Sequence, residues 1–100
     1  MTYEELNEKL TNKGVKTSRW TKGNYDRLYF KFYDLPFVKT VWEPKTRTGF
    51  YYVVDGEELT YTKSGKAKFA KIYFDLNNNN ELVIDSDVEQ YKDKIEALIK

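Results

Sequence analysis

The chain has 100 residues, enough for one domain, and its 17 basic and 16 acidic residues leave a formal charge of +1. So balanced a charge excludes a polyanion mimic and a general DNA coat, which need a large excess of one sign. The absence of Cys and His excludes disulfides, thiolate zinc sites, a cysteine nucleophile and a histidine base. No run of roughly 18 to 20 apolar residues is present either. We therefore expect a soluble, cytoplasmic protein that crosses no membrane.

Helices are predicted at both ends of the chain. At the N-terminal end Thr2 and Glu5 form a T-x-x-E capping box, and Gly14 is the expected left-handed stop. Near the C-terminal end Ser86 and Glu89 form a second capping box, which apolar residues at helical spacing follow. Between these helices the hydrophobic period changes from 3.6 to 2, and this change predicts strands.

Turn signals divide the region between the two helices into about seven strands. Gly, Asn, Asp and Pro mark the ends of alternating apolar segments, and a Ser-Gly pair at 64–65 predicts one further turn. The predicted strands include residues 15–20, 26–33, 37–42, 50–54 and 68–76.

The Asp-Gly pair at 55–56 also predicts a register. This dipeptide is typical of a two-residue hairpin turn. Such a turn pairs Tyr52 with Leu59 and sets Phe50 opposite Tyr61. All of these apolar residues then share one face of the hairpin.

The asparagine run 77–80 predicts a second hairpin. A three-residue loop places Phe74 opposite Leu82 and Ile72 opposite Ile84, whereas a two-residue loop would spoil the apolar face. We therefore expect the odd loop.

Together these elements predict a single α+β domain over residues 1–100. It has an N-terminal helix, an antiparallel meander of about seven strands and a C-terminal helix, with both helices on one face of the sheet. The residues expected to share one core are Leu6, Leu10, Phe30, Phe32, Tyr52, Ile72, Phe74, Ile95 and Leu98.

One spacing is similar to a catalytic signature. Asp34, Glu43 and Lys45 match the D…E-x-K pattern of a metal-dependent nuclease, in which two acids hold Mg²⁺ and the lysine stabilises the charged transition state. Pro44, however, would end the strand that should carry the lysine. A solvated loop is the better interpretation.

Two further motifs have ordinary structural explanations. Ser64 lies beside Lys63 and Lys66, but a Ser-Gly pair is typical of a turn. The D-x-N-x-N segment 75–79 opens like a calcium loop and lacks the glycine and glutamate that complete one. The sequence therefore predicts no enzyme, no cofactor and no metal.

Positive charge and aromatic rings concentrate in the first half of the chain. Residues 1–50 carry a charge of +4 and residues 51–100 a charge of −3. In the strand 26–33, basic and aromatic residues alternate on the outward face, an arrangement typical of a stacking platform for single-stranded nucleic acid. The same residue types anchor protein interfaces. The candidate partner-binding residues are Trp20, Lys22, Arg27, Tyr29, Lys31, Tyr33, Lys45 and Arg47.

Two functions remain open on this sequence. Its 14 Lys, seven Asn and nine Tyr make it similar in style to small accessory proteins of low-GC phages and mobile elements, with no shared motif. The first is a non-catalytic binding module that inhibits or modulates a host nucleic-acid-processing or defence protein by direct contact. One compact domain, no catalytic constellation, and rings and charges exposed on a sheet favour it. The alternative is a single-stranded nucleic-acid-binding module that uses the basic and aromatic face.

Overall fold

The computed structural model describes residues 1–45 and 49–100. Its first element, helix α1, is Tyr3–Thr11. The predicted capping box is confirmed: the Glu5 N–H donates to the Thr2 hydroxyl at 3.2 Å, and the Glu5 carboxylate accepts from the Thr2 N–H at 3.5 Å. Gly14 is left-handed, with φ of +83°, as expected of the residue that ends this segment.

In the residues that the structure describes, seven antiparallel strands follow, in two sheets. The four-stranded sheet has the order β1-β2-β6-β7, and the three-stranded sheet has the order β3-β4-β5. The α+β class and the seven strands are confirmed, but the strands do not form one meander, because β2 pairs with β6 rather than with β3. The strands are β1 Thr17–Lys22, β2 Tyr25–Phe30, β3 Val38–Glu43, β4 Gly49–Val54, β5 Glu57–Glu58, β6 Ile72–Asp75 and β7 Glu81–Ile84.

The hairpin between β4 and β5 has the predicted turn. Val54 lies opposite Glu57, and the Leu59 N–H donates to the Tyr52 carbonyl at 2.9 Å. Both turn residues, at 55–56, have positive φ (52° and 82°). A two-residue turn with two left-handed positions favours Asp-Gly, which explains why this pair sets the register.

The hairpin between β6 and β7 has the predicted register, but the residues between the two strands are 76–80 rather than the predicted three. Phe74 lies opposite Leu82 and Ile72 opposite Ile84. The last two asparagines of the loop have positive φ (55° and 57°), a conformation that Asn tolerates better than most residues. The segment that opens like a calcium loop is thus a hairpin turn.

Helix α2, Tyr61–Lys68, lies where the sequence predicted a turn. Its N-cap is Thr60, whose hydroxyl accepts a backbone N–H of the first turn at 3.4 Å. Ser64 and Ala67, three residues apart, are both buried on its inner face. The predicted Ser-Gly turn and the predicted strand pairing of Phe50 with the first residue of this helix are therefore wrong.

Two predicted strands are longer than the observed ones. The strand expected at 26–33 ends at Phe30, because the chain turns into the 3-10 helix Phe32–Asp34. The strand expected at 68–76 begins only at Ile72, after helix α2 has ended. Alternation of apolar residues therefore continued beyond the true strand ends in both segments.

The C-terminal region is helical, in three consecutive segments: the 3-10 helix Ser86–Tyr91, helix α3 Lys92–Glu96 and the 3-10 helix Ala97–Ile99. The cap is Asp85 rather than the predicted Ser86, since the Asp85 carboxylate accepts the Asp87 N–H at 3.0 Å. The Lys9 ammonium donates to the Ile99 carbonyl at 3.0 Å, which ties α1 to this region. Among the described residues, no helix is long and apolar enough to cross a membrane.

Both sheets and the terminal helices contribute to one core. Phe30 packs on Phe74 with ring centroids 5.7 Å apart, and Phe32 meets Tyr52 edge-on at 5.7 Å. The second contact joins the 3-10 helix that follows β2 to the three-stranded sheet, because Phe32 lies in that helix and Tyr52 in β4. Of the nine predicted core residues eight are buried, and the ninth, Leu98, packs against them half-buried. The predicted core is confirmed.

Candidate interaction surface

The outer face of the four-stranded sheet carries a row of aromatic rings around one arginine. Strand β2 sends Leu28 into the core and, by alternation, Arg27 and Tyr29 to the other side. The register sets Trp20 of β1 opposite Arg27, and Tyr73 of β6 opposite Tyr29. We call five residues of this face the ring ladder: Trp20, Tyr25, Arg27, Tyr29 and Tyr73.

Arg27 lies at the centre of the ring ladder. Its guanidinium carbon is 4.4 Å from the centroid of the Tyr25 ring and 4.4 Å from that of the Tyr73 ring. One of its terminal nitrogens donates to the Tyr29 hydroxyl at 3.0 Å. Tyr29 and Tyr73 also pack on each other with centroids 4.9 Å apart, and Trp20 stacks on Tyr25 at 5.9 Å. Contacts therefore run without a gap across three strands.

The cation of Arg27 is committed to contacts within the molecule. The hydrogen bond to the Tyr29 hydroxyl raises the pKa of Arg27 above its ordinary range. Its Nε atom is buried and has no hydrogen-bond partner among the described residues, a cost that the two flanking rings must offset. The guanidinium thus holds the ladder together and is poorly placed to meet a ligand.

One end of the ring ladder is open to solvent. Trp20 is 41% exposed and Tyr25 54% exposed, although both are large rings. Lys22, the last residue of β1, is exposed beside them, at a shallow groove lined by these three residues and the turn at 23–24. Trp and Tyr are among the side chains most enriched at the energetically dominant positions of protein interfaces.

Two of the predicted site residues do not lie on the strand face. Strand β2 ends at Phe30, so Lys31 lies beyond it and Tyr33 lies in the following 3-10 helix, packed against the core. The Lys31 ammonium lies 5.5 Å from the centroid of the Tyr33 ring, and its interaction with the Tyr33 side chain raises the pKa of Lys31. The predicted four-residue alternation along one strand face is therefore wrong in its second half.

The remaining candidates are spread over other parts of the molecule. Lys45 lies in the turn that follows β3, a strand of the three-stranded sheet, and is therefore not part of the ring ladder. Arg47 lies outside the described residues. Lys31 instead shares a shallow groove with Lys16 and Lys71. The structure therefore brings together Trp20, Lys22, Arg27 and Tyr29 of the eight predicted residues.

Sequence reasoning missed Tyr73 and left Tyr25 out of the site. Tyr73 alternates with Ile72 and Phe74, so its outward direction could have been derived from the sequence. Its place beside β2 could not, because the pairing of β2 with β6 joins two segments that a simple meander keeps apart. Tyr25 lies two positions before Arg27 and thus on the same face.

The nuclease-like spacing does not form a compact acidic site. Asp34 precedes β3 and Glu43 ends it. A strand extends by ~3.3 Å per residue, so the length of β3 separates the two carboxylates. Within residues 1–45 and 49–100, no three acidic side chains cluster in a way that could hold a metal ion.

The Ser64 hydroxyl is engaged within helix α2. It donates to the Tyr61 carbonyl at 2.9 Å, and the residue is only 4% exposed. Such a bond to a backbone carbonyl one turn back is a common use of a helical serine. Neither Lys63 nor Lys66 is needed to explain it.

Three strongly exposed rings lie away from the ring ladder, and sequence reasoning did not single them out. Phe69 follows helix α2 and is 79% exposed, Trp42 in β3 is 71% exposed, and Tyr61 is 57% exposed. The Lys68 ammonium lies 5.6 Å from the centroid of the exposed Phe69 ring and 4.6 Å from that of the Phe50 ring. The contacts of Lys68 cover part of this apolar area.

Comparison with known proteins adds no relative to this picture. No protein-family model matches the sequence, and neither the curated proteins nor the solved structures give a match. The function is therefore inferred from the geometry of the surface.

Proposed function

We propose that this chain is a non-catalytic binding module that docks on a partner protein through the open end of the ring ladder. The observation that supports this function is the enclosure of Arg27 between the Tyr25 and Tyr73 rings. The enclosed cation fixes the position of Tyr25, and Trp20 stacks on Tyr25 in turn. A pre-positioned pair of exposed rings loses little conformational entropy on binding.

The same enclosure disfavours a stacking platform for single-stranded nucleic acid. Such a platform needs cations that reach phosphates and rings that are open to bases. Here Arg27 is held by its neighbours, and the Tyr29 ring packs at a tilt against the Tyr73 ring instead of facing solvent. The acidic residues Asp75 and Glu81 also lie on this face, as the strand register places them beyond Arg27. A face of mixed charge repels a polyanion in part.

A cytoplasmic host protein that processes nucleic acid or acts in defence is the partner class to test first. The composition is what suggests this class. An inhibitor or modulator of such a protein needs no catalytic group of its own, only a rigid surface with a few anchoring side chains.

Binding to a partner is tested with two matched tyrosine substitutions. Tyr25 and Tyr61 are similarly exposed (54% and 57%), but only Tyr25 belongs to the ring ladder. The partner is isolated on immobilised wild-type protein from nuclease-treated extract, and its affinity is then measured for each variant. We expect Tyr25→Ala to weaken binding about 30-fold, as loss of an anchoring ring does, and Tyr61→Ala to leave it unchanged. Equal loss in both variants would contradict the assignment.

A second pair of substitutions separates protein from nucleic acid. In a protein complex Tyr29→Ala is expected to weaken binding more than Lys22→Ala, because charges at the rim of an interface contribute little. In a nucleic-acid complex Lys22→Ala, which removes the exposed cation beside Trp20 and Tyr25, would flatten the slope of log K against log salt by about 0.7. Micromolar, salt-sensitive binding of oligonucleotides that is lost in Tyr29→Ala would overturn the proposed function.

A further inference from the structure

Strand β3 forms an open edge of the three-stranded sheet. Its neighbour on one side is β4, and the described residues provide no strand on the other side. Lys39, Thr40 and Trp42 are exposed along it. Such an edge presents unpaired backbone donors and acceptors to any strand that fits.

The hydrogen bonds around β3 show which backbone groups point to the open side. The Val38 N–H donates to the Leu35 carbonyl at 3.0 Å, so this N–H points away from β4. In an antiparallel pair, the backbone N–H and C=O groups of successive residues point alternately toward the partner strand and away from it. The backbone groups of Thr40 and Trp42 therefore also point away from β4. The hydrogen bond of the Tyr52 carbonyl supports this assignment. Tyr52 lies opposite Thr40 in β4, but its carbonyl accepts from the Leu59 N–H on the β5 side and so makes no bond to Thr40.

We propose that a second copy of this chain pairs with β3, antiparallel and about a two-fold axis through Val41. In a continuous sheet, residues that lie opposite each other have their side chains on the same face. A two-fold axis can therefore pass through Val41 or through Thr40, but not between these two residues, because that would set side chains of opposite faces against each other. Pairing about Val41 sets Thr40 opposite Trp42 of the second copy. The N–H and C=O groups of both residues then find partners, which gives four hydrogen bonds in all.

The neighbouring register is poorer. Pairing about Thr40 sets Trp42 opposite Val38 of the second copy, and the N–H of Val38 is already engaged by Leu35. It also sets Lys39 opposite Val41 of the second copy, which leaves the ammonium without a counter-charge. Pairing about Val41 is therefore the register that satisfies the edge.

Charge complementarity favours the same register. It places Lys39 opposite Glu43 of the second copy, and the symmetry makes this pair twice. Opposite charges that face each other across a strand pair are stabilising, and like charges are destabilising. A carboxylate has two oxygens and accepts from more than one donor, so the pair is compatible with the contacts that Glu43 makes in its own chain. Trp42, 71% exposed in one copy, is partly covered by Thr40 of the other.

The experiment is sedimentation of the full chain over a concentration series, with charge-swap variants. We expect a concentration-dependent dimer. Lys39→Glu alone and Glu43→Lys alone should each raise the dimer Kd on the order of tenfold, because each sets like charges opposite one another twice. The double variant should restore the wild-type Kd, because it reverses both charges. Lys13→Glu, an equal charge change on an exposed residue outside β3, should have no effect.

A second measurement reports on the backbone of the edge itself. Thr40→Pro removes an N–H that points away from β4, a position at which a strand tolerates proline, and should abolish the dimer while the circular dichroism spectrum is kept. In the wild type, hydrogen exchange at Thr40 and Trp42 should slow as concentration rises. A chain that stays monomeric at millimolar concentration, or a dimer that the charge swaps leave unaffected, would overturn the proposal.

Discussion

Replacement of Phe74 by alanine tests the core that joins the two sheets. Phe74 is 1% exposed and stacks on Phe30 at a centroid distance of 5.7 Å. Truncation of a buried Phe costs about 3–5 kcal/mol through lost transfer energy and the cavity that remains. The stacked ring pair contributes to that loss by about 0.5–1.5 kcal/mol. In a domain of this size the melting temperature should fall by roughly 12 °C or more.

Phe69→Ala is the matched control for this prediction. The same atoms are removed, but the ring is 79% exposed, so the free energy of unfolding should change by no more than about 0.5 kcal/mol. Urea unfolding followed by circular dichroism measures both variants, with the denaturant slope compared to that of the wild type. If Phe74→Ala cost no more than Phe69→Ala, the assignment of faces in β6 would be wrong.

Three further predictions concern other parts of the chain. Burial raises the pKa of Tyr52 to about 12. Between pH values of about 10, its ordinary pKa, and about 12, the Tyr52 hydroxyl is ionised in the unfolded chain and protonated in the folded chain. The free energy of unfolding should therefore fall by up to ~1.4 kcal/mol per pH unit in this window, and by less in Tyr52→Phe, as urea unfolding at a series of pH values would measure. Gly49→Ala should lower the melting temperature more than Gly56→Ala does. Both glycines have positive φ, but a Cβ at Gly49 would lie 2.8 Å from the Trp42 ring, whereas a Cβ at Gly56 would meet no atom within 4 Å. Mg²⁺-dependent cleavage of DNA or RNA should not occur, and cleavage that Glu43→Ala abolishes in a folded protein would refute this.

Local signals in the sequence specified the hairpins well. The turn at 55–56 and the asparagine-rich loop at 76–80 each admit one register that keeps the apolar residues on one face, and both registers are observed. Turn chemistry and face matching act over a few residues. For that reason these parts of the fold could be predicted without knowledge of the rest.

The errors arose where tertiary packing decides between two local structures. Ser64 and Gly65 are typical of turns, yet they lie inside α2, because Thr60 caps that helix and small side chains let it lie against the core. Likewise the apolar spacing through Phe32 continues the pattern of β2, although the chain bends there into a 3-10 helix. Long-range pairing also limited the prediction of the candidate site. Its β2 residues Arg27 and Tyr29 were predicted, but Tyr73, which the pairing of β2 with β6 places beside them, was not.

The pairing of β2 with β6 determines at which stage of folding the ring ladder forms. It places Arg27 opposite Asp75, and all three strands of the other sheet lie between these two residues in the sequence. Each flanking hairpin closes a short loop, whereas this seam closes a long one, whose entropic cost grows with the logarithm of its length. Tyr25 and Arg27 lie on one side of the seam and Tyr73 on the other. Neither hairpin alone can therefore enclose the guanidinium, and a chain that has not completed its fold does not yet present the surface.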